Sequence, residues 1–153
     1  RQSPHGEAGV VAILSNRLLR GEAAVIHGDG LNVRDYVYVD DVADANVRAL
    51  SVAGDLIRGQ AGAWPFLALN VGSGQGHTVL EVEEAIRARV ELLTGQLLPL
   101  PVHDAARPGD LRSSLLDARR AQEVLGWEAA TPFEVGVART VRWFAEHNTR
   151  IAG

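Results

Sequence analysis

Cysteine and methionine are both missing from the 153 residues. Without cysteine the chain forms no disulfide and runs no thiolate chemistry, and a reducing compartment is permitted. Without methionine it lacks even an initiator and opens on Arg1-Gln-Ser-Pro-His5 as if inside a loop, so a partial polypeptide is expected. Long hydrophobic runs are also missing. The longest, Trp64 to Val71, falls far short of spanning length and contains Pro65, and no basic-then-apolar leader pattern opens the chain. A cytoplasmic protein without a membrane partner is expected. Excess positive charge is missing as well. The formal net charge is −4, acids and bases alternate along the helices, and no basic face dominates, which argues against a nucleic-acid partner. The five histidines are scattered without zinc-ligand spacing, and Ser73, Ser113 and Ser114 sit in no nucleophile motif. Neither a metal site nor a catalytic residue is therefore assigned.

What remains is ordinary globular composition, 46% hydrophobic and 22% charged, enough for one domain or a piece of one. Val10, Val11, Leu14 and Leu18 recur at helical spacing and stop at Gly21, predicting a helix over 8–20. Ala24 to His27 reads as a short strand, Gly28-Asp29-Gly30 as a turn, and Arg34 to Val39 as a second strand. Asp40 or Asp41 is expected to cap a helix with Val42, Ala43, Val47 and Leu50 on one face. A loop from Gly54 to Pro65 leads to Phe66–Val71, apolar except for Asn70, as in a parallel strand covered on both faces. Thr78-Val-Leu-Glu81 is a capping box for a long helix with Val82, Ile86, Val90 and Leu93 inward and Gly95 at its end. Asp117 starts a short helix closing at Leu125-Gly126-Trp127. Thr131-Pro-Phe-Glu134 repeats the capping device ahead of Phe133, Val137, Val141 and Phe144. Trp127 and Trp143 both read as core. The alternation makes the class α/β, with fewer strands than a complete doubly wound sheet requires.

Two arginines carry the candidate chemistry. Arg34 follows the glycine turn and begins a strand, and Arg107-Pro-Gly-Asp110 places a second arginine on a rigid loop. Two guanidinium forks suit a diphosphate, since each can donate paired hydrogen bonds and neither loses its charge near neutral pH. Asp110 adds an acceptor for vicinal hydroxyls. The bland alternatives are a surface salt bridge of Arg34 with Asp29 or Asp35, worth ~0–1 kcal/mol, and a loop ion pair for Arg107. The helix start around Gly6 to Val10 could add backbone amides for phosphate. Gly72-Ser-Gly-Gln-Gly76 has the setting of a dinucleotide fingerprint but the wrong spacing, because the third glycine should fall at His77. It reads as a structural turn that does not bind NAD. Asp35, Asp40, Asp41 and Asp44 read as caps and a solvated helix face.

The segments Arg1 to Ile13, Ile26-His-Gly-Asp-Gly30, Arg34-Asp-Tyr-Val-Tyr-Val-Asp-Asp-Val42, Asn70-Val-Gly-Ser-Gly74, Arg107-Pro-Gly-Asp110, Asp117 to Ala121, Leu125-Gly-Trp127 and Thr140 to Phe144 resemble, in order and spacing, the extended short-chain dehydrogenase/reductases. Within this NAD-dependent epimerase/dehydratase family the chain is most similar to the bacterial UDP-glucose 4-epimerases. The resemblance implies a partial extended fold over residues 1–153: the C-terminal substrate-binding lobe plus the last strand and helices of a Rossmann-type parallel sheet. It implies that Arg34 and Arg107 hold the diphosphate of a UDP-sugar, that Asp110 holds the ribose, and that the backbone at Gly9, Val10 and Val11 and at Ile26, His27 and Gly28 lines the diphosphate and uracil positions. His27 stands where relatives usually carry Tyr or Phe, Leu31-Asn-Val33 replaces more polar residues, and Ser3 stands where Asp is common. The family's NAD loop and catalytic Tyr-x-x-x-Lys pair have no counterpart here, so the N-terminal NAD-binding portion is absent, the chain alone is expected to be inactive, and the complete protein is expected to be a homodimer. Alternatives are a dTDP-glucose 4,6-dehydratase or UDP-glucuronate decarboxylase relative and, in another class, a non-catalytic nucleotide-sugar-binding module.

Overall fold

The computed structural model describes residues 9–58 and 67–148. They fall into two compact units, one of residues 9–34, 77–113 and 134–148, the other of residues 35–58, 67–76 and 114–133.

In the first unit, helix α1 (Val10–Leu19) packs against α3 (Val79–Thr94). Leu14 and Leu18 meet the stripe Val82, Ile86 and Val90, all at most 1% exposed. Full burial of such side chains contributes ~1.5–3 kcal/mol each, which makes this seam the stabilising core of the unit. Val137 and Val141 of α5 (Phe133–Asn148) are buried too. The expected α3 cap forms completely: the Thr78 hydroxyl accepts from the Glu81 amide, the Glu81 carboxylate accepts from the Thr78 amide, and Gly95 ends the helix in the left-handed region. Leu93, expected inward, is 49% exposed, because the buried stripe follows the Val82–Ile86–Val90 spacing of four and Leu93 lies off it. Strand β1 (Val25–His27) pairs in parallel with β4 (Val102–Asp104), in the register Ile26 to His103. The turn after β1 carries Gly28 and Gly30 at positive φ. A Cβ at Gly30 would lie 2.7 Å from Leu80 Cγ and 2.9 Å from Ile26 Cγ2, so backbone and core meet too closely there for any side chain.

The strand expected from Arg34 to Val39 is shorter: β2 covers Val33–Asp35, and helix α2 (Val39–Arg58) follows at once. In the second unit neither Asp40 nor Asp41 caps α2. Both stand inside its first turn, where negative charge suits the helix dipole, and the Tyr38 carbonyl accepts from the Asp41 and Val42 amides. Among the described side chains of α2 the buried ones are Asp41 and Ala45, whereas Val47 and Leu50 are 61% and 79% exposed. The expected loop from Gly54 is also corrected, since α2 runs through Gly54 to Arg58. Residues 59–66, including Pro65 and Phe66, lie outside the described residues. Residues 67–71 form no strand. Leu67, Leu69 and Val71 are half-buried while Ala68 and Asn70 are exposed, the alternation of a segment covered on one side, not two. Leu69 and Val71 pack on a cluster of Ala45, Ala121 and Trp127.

Helix α4 (Arg119–Leu125) ends at Gly126 in the left-handed region, as its spacing predicts. Trp127 is 1% exposed and its indole N–H donates to the Asp41 carbonyl at 2.8 Å. The Thr131 amide and hydroxyl, expected to start α5, donate to the Asp41 carboxylate at 3.0 and 3.1 Å. Trp143, expected in the core, is 46% exposed and lies stacked on His147 with ring centroids 4.3 Å apart. Among the described residues no helix is long and apolar enough to cross a membrane.

Candidate functional site

The first unit brings Arg34 and the Arg107–Asp110 loop into one constellation. Arg34 leaves the glycine turn on β2, whose Val33 amide donates to the Arg112 carbonyl at 2.9 Å. Its Nη1 donates to the Val33 carbonyl at 2.8 Å and to the Leu111 carbonyl at 2.7 Å, and its Nη2 stands 3.7 Å from Asp110 Oδ1. A guanidinium has five N–H donors. Nη1 is spent on Val33 and, across on the 107–112 segment, on Leu111, which leaves the Nε and Nη2 edge able to present a two-pronged fork. Arg34 is thus fixed in direction while its side chain is still 31% exposed. Its partner is neither Asp29 nor Asp35, the two considered from sequence, but Asp110.

Asp110 is placed by its own loop. Its amide donates to the Arg107 carbonyl at 3.3 Å, with Gly109 between them at positive φ. Its carboxylate also receives the Asn32 side-chain amide at 3.5 Å and remains 46% exposed. The Arg107 side chain is exposed and has no hydrogen bond or ion pair among the described residues. The loop ion pair considered as its alternative is therefore not made there. One arginine is locked and the other stands unengaged on the adjoining turn.

The turn from His27 to Gly30 is laced to the segment after β4. The Gly28 amide donates to the Asp104 carbonyl at 2.9 Å, His103 Nδ1 meets the Gly28 carbonyl at 2.7 Å, and His27 Nδ1 meets the Ala105 carbonyl at 3.3 Å. With Nδ1 committed, each ring keeps Nε2 for other contacts. A Cβ at Gly28 would sit 3.2 Å from that of Ala106. Ile26 itself is core at 1% exposure, so only its backbone could border a ligand. Gly9 occupies the N-cap of α1, its carbonyl accepting from the Ala12 and Ile13 amides, and no side chain caps the helix. The first-turn amides of Val10 and Val11 point outward along the axis as any helix start requires. No hydrogen bond or ion pair among the described residues ties them to the Arg34–Asp110 constellation.

Asp29, Asn32 and Arg112 were not singled out as site residues. The Asp29 carboxylate receives Arg112 Nη1 on both oxygens, at 2.7 and 2.8 Å, and the Leu31 amide at 2.9 Å. The Arg112 hydrogen bond is the main cause that holds its pKa below the usual carboxylate range, with the Leu31 amide adding to it. Only the charged spacing within Arg107–Arg112 could have hinted at a second clasp, because the partner lies far away in sequence.

In the second unit, the Gly72–Gly76 loop is used internally. The Ser73 amide and hydroxyl donate to Asp35 Oδ1 at 2.8 and 2.6 Å, and the Gly74 amide donates to Oδ2 at 2.9 Å. Burial pushes the Asp35 carboxyl up, but the hydrogen bonds from Ser73, Gly74 and Leu116 outweigh it and hold the carboxyl low. A Cβ at Gly72 would fall 2.7 Å from Asp35 Oδ2 and 2.8 Å from Leu116 Cβ. These amides already hold an anion, so the loop does not fit the diphosphate of a dinucleotide. Of the other acids, Asp41 holds Thr131 and Asp44 holds Arg48 at 2.8 Å.

Comparison with known proteins bears on the chain as a whole. Residues 1–59 match the model of the NAD dependent epimerase/dehydratase family. The UDP-glucose 4-epimerase of Mycolicibacterium smegmatis is 46% identical over 144 residues, 94% of this chain and 41% of that protein. Among solved structures, the UDP-glucose 4-epimerase of Thermotoga maritima with UDP-glucose is similar with a TM-score of 0.77 at 41% identity, over 97% of this chain and 43% of that one. The Thermus thermophilus UDP-glucose 4-epimerase in complex with NAD gives 0.70 at 37% identity, over 94% and 42%. The chain spans about two fifths of the length of these relatives. Over nearly all its residues the chain is similar in α/β fold and in sequence to members of the NAD dependent epimerase/dehydratase family, whose model matches residues 1–59.

Proposed function

We propose that residues 1–153 are the C-terminal, substrate-binding portion of an NAD-dependent UDP-glucose 4-epimerase. The observation that carries this reading is the fixed Arg34 fork beside Asp110, on the same segment as the unengaged Arg107. A sugar nucleotide would lay its diphosphate against the Nε and Nη2 edge of Arg34 and draw in Arg107, each charge-assisted hydrogen bond contributing ~1.5–3 kcal/mol. Asp110 would accept from the ribose hydroxyls, exchanging its long contact with Arg34 for two short ones. The His27–Gly28 backbone and the α1 start at Gly9, Val10 and Val11 would border the uracil and diphosphate, the helix end adding ~0.3–1 kcal/mol. The arginines therefore dominate affinity.

Among the described residues, the glycine loop that has the setting for a dinucleotide is occupied by Asp35. In this reading NAD and the oxidation at sugar C4 belong to the N-terminal part of the protein, and the present residues bind and orient the nucleotide. The same reading places the protein in the cytoplasm as a homodimer with neither nucleic acid nor membrane as partner, supported by a net charge of −4 without a basic face.

The test is interconversion of UDP-glucose and UDP-galactose by the full polypeptide carrying its natural upstream sequence. Turnover at C4 is expected. A protein that binds UDP-glucose with NAD yet leaves C4 unchanged would move the assignment to a dehydratase or decarboxylase. Failure to bind any UDP-sugar would remove the nucleotide-sugar reading altogether.

A further inference from the structure

We propose that the Asp29–Arg112 pair is a positioning latch for nucleotide binding, setting the segment that carries Arg107 and Asp110 against the segment that carries Arg34. The proposal rests on the nucleotide-sugar reading above and adds residues that the reading does not itself require.

The two segments are joined at several points, and those points are unequal. At one end Arg34 reaches across to the Leu111 carbonyl and Asp110. In the middle the Val33 amide donates to the Arg112 carbonyl. At the other end Arg112 turns its side chain back over the glycine turn and holds both oxygens of Asp29. Arg112 is therefore tied through its main chain to β2 and through its side chain to the turn that precedes β2. Asp29 in turn holds the Leu31 amide, so the same carboxylate fixes the turn's internal shape. The turn cannot relax toward the core, because the space a Cβ would take at Gly30 is filled by Leu80 and Ile26.

The consequence is geometric. Residues 107–112 include no helix and no strand, and Arg107 and Asp110 are exposed. Their position depends on how tightly Leu111 and Arg112 are held. Arg34 cannot serve as sole anchor without being redirected when phosphate competes for its guanidinium. The main-chain pairing of Val33 with Arg112 and of Ser113–Ser114 with β2 holds the segment's end, and the Asp29–Arg112 pair adds a side-chain tie that touches neither Arg34 nor Arg107. Both of its side chains are more than half exposed, 56% and 60%, so its contribution to folding stability is small and screened by salt. Its effect should therefore be read in ligand affinity more than in stability.

The experiment is calorimetric titration of UDP into the full polypeptide, for the wild type, Asp29→Asn, Arg112→Gln, Arg112→Lys and the exchanged pair Asp29→Arg with Arg112→Asp, at low and high salt, with Tm measured in parallel. The two neutralised variants are expected to bind UDP severalfold more weakly with Tm nearly unchanged, Arg112→Lys to lie between them and the wild type, and the exchanged pair to recover part of the loss. The wild type should approach the neutralised variants at high salt more than they themselves weaken. Equal UDP affinity in wild type and neutralised variants overturns the latch while leaving the nucleotide reading intact. A wild type that does not bind UDP overturns both, and the two failures are told apart by the wild-type titration alone.

Discussion

Helices α2 and α3 carry similar apolar patterns and meet different fates. On α3 the stripe Val82, Ile86, Val90 closes on α1 and is fully buried, while on α2 Val47 and Leu50 stay exposed and the buried positions among its described side chains are Asp41 and Ala45. Periodicity identifies a face that could be buried. Whether it is buried depends on a partner of matching length and shape, which α3 finds in α1. On α2 a carboxylate occupies the inward side because it has two donors waiting at Thr131.

The contrast can be broken most forcefully in the core. Ile86→Ala should cost ~2–5 kcal/mol through lost transfer energy and a cavity, whereas Leu50→Ala should stay within ~0.5 kcal/mol; urea melts of the 153-residue chain compare them. Equal costs would mean that the exposed face of α2 is not exposed in solution.

The two arginines form the next comparison. Arg107→Ala is expected to weaken UDP-glucose binding by ~2–5 kcal/mol and leave Tm unchanged, as befits a side chain with no partner among the described residues. Arg34→Ala should weaken binding and also lower stability by ~0.5–1.5 kcal/mol, because the hydrogen bond to the exposed Leu111 carbonyl is lost. Titration calorimetry with a parallel thermal melt separates them. A Tm loss confined to Arg107→Ala would reverse the roles given to the two.

Asp35 sharpens the picture through pH. Its carboxyl is held low in the folded state, so its contribution is present above the unfolded Asp value of ~3.9 and is lost as pH falls through the lower folded value. Asp35→Asn should flatten the acid limb of the stability curve, measured by urea melts across that range. An unchanged acid limb would mean that the Ser73 and Gly74 hydrogen bonds do not act on the carboxylate.

The smallest effect concerns α1. Ser15 is fully buried and its hydroxyl has no partner among the described residues. Ser15→Ala is expected to be neutral or to stabilise by up to ~1 kcal/mol. A clear loss in a thermal melt would reveal a partner for the hydroxyl.

Much of the fold was legible because the signals act over a few residues. Thr78 and Glu81 satisfy each other's backbone within one turn, and Gly95 and Gly126 end their helices where only a left-handed residue fits. Trp127 was legible as core, while the same reasoning misplaced Trp143, since an aromatic at helical spacing does not show which side its helix presents. Phe66 to Val71 was read as a doubly covered strand from hydrophobicity alone, yet residues 67–71 are covered on one face by Trp127 and its neighbours. Within the candidate site, the grouping of Arg34 with Arg107 and Asp110 was legible, and the partners that fix Arg34, namely Leu111 and Asp110, were not.

By itself the sequence determined the α3 capping box, the glycine ends of α3 and α4, the glycine turn after β1 and the absence of thiol chemistry. Each follows from residue identity or from contacts closed within a turn. Only the tertiary structure decided that Arg34 answers to Leu111 and Asp110, that Asp29 answers to Arg112, and that the Gly72–Gly76 loop serves Asp35. The physical reason is that a charged or polar group takes the nearest partner in space, and nearness across long separations in sequence is created only when the elements pack and pair, as α1 does on α3 and β1 with β4.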